Sequence, residues 1–269
     1  MLADSVNISG VRLTTLEATF PRFILAEFNT HRMLSRNSAS SRAIPVEKII
    51  SRVSDGPFIP RYWGKNQKGM QAHQELTIDQ AKEAVTIWLD ARDAALSNAK
   101  RLLEIGVHKQ LANRLLEPFL WQTVIVTATE WNNFLGLRCH PDAQPEFQII
   151  ATMMQESLKD SKPVLLQDGE WHLPLISAED KVEDSTVAGP YRLAKISAGR
   201  CARVSYLTHD GRRDTGEDIS LCSRLIASGH MSPLEHPAMA DSESRRYVGN
   251  FQSWIQFRKL IPNENIFKN

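Results

Sequence analysis

Cysteine is scarce in this chain of 269 residues: Cys139, Cys201 and Cys222 are few, far apart and odd in number, which argues against a disulfide scaffold and suits a reducing compartment. An excess of one charge is missing too. The formal net charge is +1, so the protein lacks the broad positive field that general nucleic-acid binding needs, and any arginine cluster must act locally. There is no run of about eighteen apolar residues and no basic-then-apolar leader, so neither a membrane span nor secretion is indicated and a cytoplasmic location is expected. What remains is a composition long enough to bury a substantial core, in one large domain or two small ones.

Against this even background one stretch stands out. Thr30 to Arg42 reads THRMLSRNSASSR, in which His31, three arginines, four serines and Asn37 follow an apolar segment. Ser and Asn compete with helix by bonding their own backbone, so Ser35 to Ser41 should form a loop with hydroxyls and N–H groups turned outward. Arg32, Arg36 and Arg42 add planar forks that match phosphate geometry. The segment reads as an anion site, with a solvated basic loop as the bland alternative.

A coarse pass places the rest. Arg12 to Phe20 reads as a strand, and Pro21 suits the first turn of a helix that delivers His31 and Arg32. Residues 43–74, with Pro45, Pro57, Pro60 and Gly64, read as a long irregular excursion. Thr77 and Gln80 form a capping box for a scaffold helix stopped by Gly106. A helix from His108 to Leu116 should end before Pro118, and Gln122 to Thr129 should be a strand. Asn132 to Arg138, Pro145 to Leu158 and Thr215 to Ser228 look helical, the last capped through Asp218. The aromatic tail with Phe251, Trp254, Phe257 and Ile261 should pack against the body. His230, Glu235 and His236 lack the HExxH spacing and are broken by prolines, so no metal site is expected.

His31, Arg32, Ser35, Asn37, Ser40 and Arg42 fall in register with the signature of the flavin-dependent thymidylate synthases, with Thr30 in place of the first arginine. NRLLEP at Asn113 to Pro118, TATEWNNFLGLRCHPDAQPE at Thr127 to Glu146, ARVSY at Ala202 to Tyr206 and GHMSPLEH at Gly229 to His236 resemble further segments of that family. The last two normally come first. The chain therefore looks circularly permuted, which is tolerable when old termini lie close and new ones fall at the surface. The resemblance covers roughly residues 10–43, 110–160 and 199–237. It implies an α/β fold, a mixed sheet with long helices, in one domain over 1–269; residues 161–194 would be a join and 238–269 a C-terminal extension.

The same resemblance implies an enzyme that reductively methylates dUMP to dTMP, with FAD as cofactor, NADPH and methylenetetrahydrofolate as co-substrates, and a homotetramer with sites between subunits. Arg138 would hold the pyrimidine ring and stabilise the charge that develops on it. Ser38, Ser40, Ser41 and Arg42, with Arg114 from a neighbouring subunit, would hold the nucleotide phosphate. Thr30, His31, Arg32, Asn37, Thr127, Thr129, Asn133, Ser205, His230 and Ser232 would line the flavin. Glu27 replaces a glutamine that approaches the nucleotide, and Asp142 replaces a histidine. A carboxylate can accept from an exocyclic amine that uracil lacks, so a dCMP methylase or hydroxymethylase is the alternative substrate reading. A non-catalytic flavin or nucleotide binding homologue is the alternative class, motivated by Thr30. Cys139 beside Arg138 invites covalent catalysis, but no motif for it surrounds the thiol.

Overall fold

The computed structural model describes residues 1–42, 44–184, 191–206, 214–243, 246–262 and 264–265, the side chains of 182–184 and 205–206 excepted. In chain order the elements are β1 (Ala3–Asn7), β2 (Arg12–Pro21), α1 (Leu25–Phe28), β3 (Ser35–Ser38), α2 (Val46–Asp55), α3 (Ile78–Glu104) and α4 (Lys109–Ala112). There follow β4 (Trp121–Ala128), α5 (Asn132–Arg138), α6 (Pro145–Asp160), β5 (Val164–Leu166), β6 (Trp171–His172), α7 (Ala178–Asp184), α8 (Arg192–Tyr206) and α9 (Thr215–Ala227). The last strands are β7 (Ala238–Ala240), β8 (Tyr247–Val248), β9 (Phe251–Gln252) and β10 (Trp254–Gln256). The result is a mixed α/β architecture. A five-stranded sheet in the order β3-β4-β2-β1-β5 is antiparallel except for the parallel pair β1 and β5, and a smaller sheet runs β10-β7-β6.

Alternation in β2 and β4 decides what each face of the large sheet carries. Leu16, Ala18, Phe20, Val124, Val126 and Ala128 point one way and bury Phe28, Phe134, Phe147, Ile150 and Met154 of α1, α5 and α6. Each such fully buried large side chain stabilises by roughly 1.5–3 kcal/mol, an upper estimate set by the unfolded reference. On the opposite face Leu13 meets Ala238, Phe251 and Trp254, and Ile125 meets Cys201 and Val204 of α8. The site lies where these two layers reach the β3 edge.

Several elements differ from the sequence expectation for physical reasons. Ser35–Ser38 is the edge strand β3, because Ser35 and Asn37 find buried partners instead of local backbone ones: Gln256 donates to Ser35 Oγ at 2.9 Å and Asn37 donates to Cys201 O at 3.0 Å. The segment after Pro21 is a 3₁₀ turn followed by the four-residue α1, not one sustained helix. The excursion after Ile44 contains α2, whose Val46, Ile49 and Val53 are buried at helical spacing. Helix α3 starts on the expected capping box and is followed by Gly106 at φ +84°, yet only Leu96 and Ala99 along it are buried. The following helix yields to a 3₁₀ stretch, Asn113–Phe119, that runs through Pro118. Asp214 caps α9 by accepting from Glu217 N at 2.9 Å, whereas Asp218 is buried against Arg200 and Arg203 at 3.0 and 2.7 Å.

Residues 161–194 supply β5, β6 and α7 rather than a plain join. The segment from 238 likewise supplies strands, and Phe251, Trp254 and Phe257 are fully buried in the body as expected. No helix among the described residues is long and apolar enough to cross a membrane.

Candidate active site

Turns after α1 bring His31 under the helix pair α5 and α6, where its ring stands edge-on to Phe134 at 5.0 Å and Phe147 at 6.1 Å. Arg138, the last residue of α5, lays its guanidinium over the Phe147 ring at 4.5 Å. Its Nε donates to His31 Nε2 at 2.9 Å and its Nη1 to Glu27 at 2.9 Å. Arg36 donates to the His31 carbonyl at 2.5 Å. An arginine cannot accept, so His31 Nε2 is the acceptor and the imidazole proton sits on Nδ1. Burial, then the nearby Arg138 and Arg36 cations, lowers the His31 pKa to about 4. The result is a neutral acceptor and a carboxylate holding one guanidinium whose Nη2 has no partner among the described residues.

Beside β3 lies a cleft of about 400 Å³, within the range of small-ligand sites. It is lined by Asn37, Ser38, Ser40, Arg42 and Gln110 together with Ala202, Leu225, His230, Ser232 and Pro233. Six residues expected from sequence to serve a site therefore meet, from segments nearly two hundred residues apart. Ser232 donates to Asn37 Oδ1 at 3.4 Å, and His230 is held by Ser228 at 2.9 Å. Hydroxyls, amides, an imidazole and one cation beside the aliphatic carbon of Ala202, Leu225 and Pro233 suit a ligand with a phosphate and a flat ring.

The remaining expected residues stand elsewhere, and some require correction. Ser41 turns away from the cleft and donates to Glu117 at 2.7 Å, the carboxylate that also pairs Arg22 at 3.0 Å and the exposed Arg114 at 2.8 Å. Thr127 cannot line a ligand surface: it is fully buried, bonded at 2.8 Å to both Thr15 and His236. Thr129 accepts from the Gln252 backbone at 3.3 Å, so it anchors β9. Asp142 is exposed; its backbone N–H donates to His140 Nδ1 at 3.2 Å, and the bonds of the Arg138 guanidinium go to His31 and Glu27 instead. Thr30, exposed, ends α1 by donating to Glu27 O at 2.7 Å, while Arg32 and Asn133 are exposed. The Ser205 side chain lies outside the described residues. Glu235 pairs with Arg258 at 2.6 Å and His236 with Thr127, so these two and His230 are engaged separately; no group of three potential metal ligands occurs among the described residues.

Three residues escaped the sequence reading. Phe147 carries the Arg138 guanidinium, Gln110 lines the cleft, and Glu117 gathers Ser41, Arg22 and Arg114. All three lie within the stretch of family resemblance, but only Glu117 falls inside one of the quoted motifs, where its charge beside arginine was the available signal. Also unforeseen is a buried polar chain running Ser5, His172, Thr15, Thr127, His236 with each link at 2.8 or 2.9 Å. Burial lowers the pKa of His172 and His236 to about 3, so both rings are neutral.

Residues 12–164 match the profile of a family described as thymidylate synthase complementing protein. Flavin-dependent thymidylate synthases of two strains of Tropheryma whipplei, TW08/27 and Twist, are 28% identical over 168 residues, which is 55% of this chain. The match spans 65% and 64% of those relatives' own lengths. Among solved structures, a UMP/dUMP methylase PolB from Streptomyces cacaoi bound with 5-Br UMP superposes with a TM-score of 0.47 at 19% identity, over 57% of this chain and 69% of that one. Matched over more than half its length, the chain belongs to the thymidylate synthase complementing protein family.

Proposed function

We propose that this protein is a flavin-dependent methylase of a pyrimidine nucleotide, converting dUMP to dTMP with methylenetetrahydrofolate as one-carbon donor and NADPH as reductant, and working as a homotetramer. The observation that carries the reading is the Glu27, His31, Arg138 cluster: a guanidinium fixed on two sides, with Nη2 unspent, where a pyrimidine carbonyl would gain negative charge. A neutral His31 leaves the positive charge on Arg138 undivided. The protein's share is to bind, orient and polarise.

The cleft fits a flavin nucleotide in its chemistry, since it offers Asn37, His230 and Ser232 near an aliphatic wall of Ala202, Leu225 and Pro233. Bound flavin supplies the hydride that the methylation requires. Ser38, Ser40 and Arg42 would hold the nucleotide phosphate, with Arg114 reaching from a second subunit; its exposure is compatible with that. Permuted segment order is supported by packing: Ala238, just after the SPLEH segment, shares a core cluster with Leu13, and Trp254 donates to Val11 O at 3.2 Å.

A second reading, action on dCMP, is favoured by Glu27 alone, because its half-exposed carboxylate beside Arg138 offers an acceptor for an exocyclic amine. Asp142 no longer supports it. The test is product mass analysis after incubating the protein with FAD, NADPH, methylenetetrahydrofolate and an equal mixture of dUMP and dCMP. A methyl mass on dUMP alone supports the first reading, modified dCMP the second, and no product from either sinks both in favour of a binding protein.

A further inference from the structure

A second cavity, of about 540 Å³, lies between α2, the 3₁₀ stretch Asn113–Phe119 and the start of β4. It shares a wall with the candidate active site. Successive residues of the serine segment face alternately: Ser38, Ser40 and Arg42 line the cleft, while Ala39 and Ser41 line this cavity. Its body is apolar, formed by Ile44, Ile49, Phe119 and the half-exposed Trp121.

Two cations stand in that lining, and their states differ. Arg22 is paired with Glu117 at 3.0 Å, a carboxylate it shares with Arg114, and donates to Gln122 at 2.5 Å. The Arg52 guanidinium has no hydrogen-bond or ion-pair partner among the described residues. Asp55, three residues on and able in principle to pair with it, accepts instead from Ser51 at 2.8 Å. Partial burial lowers the Arg52 pKa with no carboxylate acting against it. The Arg52 side chain stands largely in solvent at the mouth of this apolar chamber, so its guanidinium is held by water alone and is available to an anion whose ring enters the cavity.

We infer that this cavity is a second ligand site, one that takes a small aromatic monoanion with its ring between Ile44, Ile49, Phe119 and Trp121 and its carboxylate, sulfonate or phosphate on Arg52. The volume admits a ligand of one or two rings. One charge is specified because Arg22 is already satisfied and Asp55 at the rim opposes a second. The Arg52 fork supplies the directional part of the affinity and the rings the remainder.

The experiment uses the full chain and naphthalene-2-sulfonate, titrated by calorimetry with Trp121 fluorescence recorded in parallel. Expected are saturable 1:1 binding, a fluorescence change that Trp121→Phe abolishes, and about tenfold weaker binding in Arg52→Gln at an unchanged melting temperature. Arg42→Gln, which alters the neighbouring cleft, should leave the affinity alone. Naphthalene-2-methanol, the ring without the charge, should bind about tenfold more weakly than the sulfonate to the unaltered protein and equally to Arg52→Gln. Equal sulfonate affinity in Arg52→Gln, a loss in Arg42→Gln, or no saturable binding would each overturn the assignment. Three free phosphate-sized anions, sulfate, phosphate and acetate, serve as ringless probes; any of them binding as tightly as the sulfonate would also overturn it.

Discussion

Helices α8 and α9 meet at Gly199, and replacing that glycine by alanine tests how closely the layer under the site is packed. A Cβ built there lies 2.3 Å from the Asp218 carbonyl oxygen, 2.9 Å from its carbon and 3.0 Å from its Cα. All three are backbone atoms, so no rotamer can relieve the overlap. Ordinary contact begins near 3.4 Å, so the helices must part by about 1 Å. That displacement also pulls Asp218 from Arg200 and Arg203, bonds of 3.0 and 2.7 Å between largely buried groups. Overpacking costs about 1–3 kcal/mol, and loosening a charge-assisted pair adds to it, while alanine in a helix interior returns about 1 kcal/mol. The expected net is a loss of about 2 kcal/mol. Urea denaturation followed by far-ultraviolet circular dichroism would measure it, with Gly136→Ala as companion. Gly136 sits exposed on α5 with nothing within 4 Å of its Cβ position, so that variant should gain about 0.5–1 kcal/mol. A Gly199→Ala protein as stable as the parent would refute the packing argument.

Other outcomes follow from the electrostatics. His31, His172 and His236 are neutral when folded, with pKa values of about 4, 3 and 3, against about 6.5 unfolded. Their contribution is therefore fully present above pH about 6.5 and is lost progressively as pH falls from there, the loss being complete near pH 4 for His31 and near pH 3 for His172 and His236, at about 1.4 kcal/mol per pH unit for each histidine inside its window; a stability curve flat between pH 7 and 4 would contradict this. Arg200 holds Asp180 through bonds of 2.6 and 2.8 Å and keeps that carboxyl well below the usual range, so Asp180→Asn should cost about 3 kcal/mol at pH 7 by thermal or urea melting. Arg138→Lys cannot hold both Glu27 and His31, and turnover should fall about 100-fold or more in steady-state assays while the melting temperature stays within a few degrees. In Glu27→Gln, a dCMP activity should fall relative to dUMP activity in the mixed-substrate assay; a ratio unmoved by the change would remove Glu27 from base selection.

Local chemistry made part of this legible in the sequence. The Thr77 and Gln80 box, the β-branched and aromatic content of Arg12 to Phe20 and the aromatic tail act on near neighbours or on water, and each led to the element found. His31 and Asn37 were singled out by register with a known signature and Arg138 by the family resemblance of the Thr127 to Glu146 segment, and His31 and Arg138 do meet. Ser35 and Asn37 misled because their partners, Gln256 and the Cys201 carbonyl, lie more than 160 residues away and outweigh their local turn preference. Thr127 misled for a similar reason: a threonine on a strand carries no mark of which face will be sealed. Asp218 looked like a cap, but arginines one turn apart on α8 claimed it and Asp214 took the cap.

The buried line of Ser5, His172, Thr15, Thr127 and His236 also bears on the order in which the chain is made. Strands β2 and β4 are complete once residue 128 has been synthesised, yet the imidazoles that satisfy Thr15 and Thr127 lie 157 and 109 positions further along. Contacts of that separation are slow to close. A chain emerging from the ribosome therefore carries two hydroxyls in the middle of its principal sheet with only each other to bond until His172 arrives, and Thr127 still lacks its imidazole, and the cleft its second half, until the segment ending at His236 follows. During that interval the sheet face is open to other chains, so the last third of the sequence acts as the seal of a face that the first half has already built.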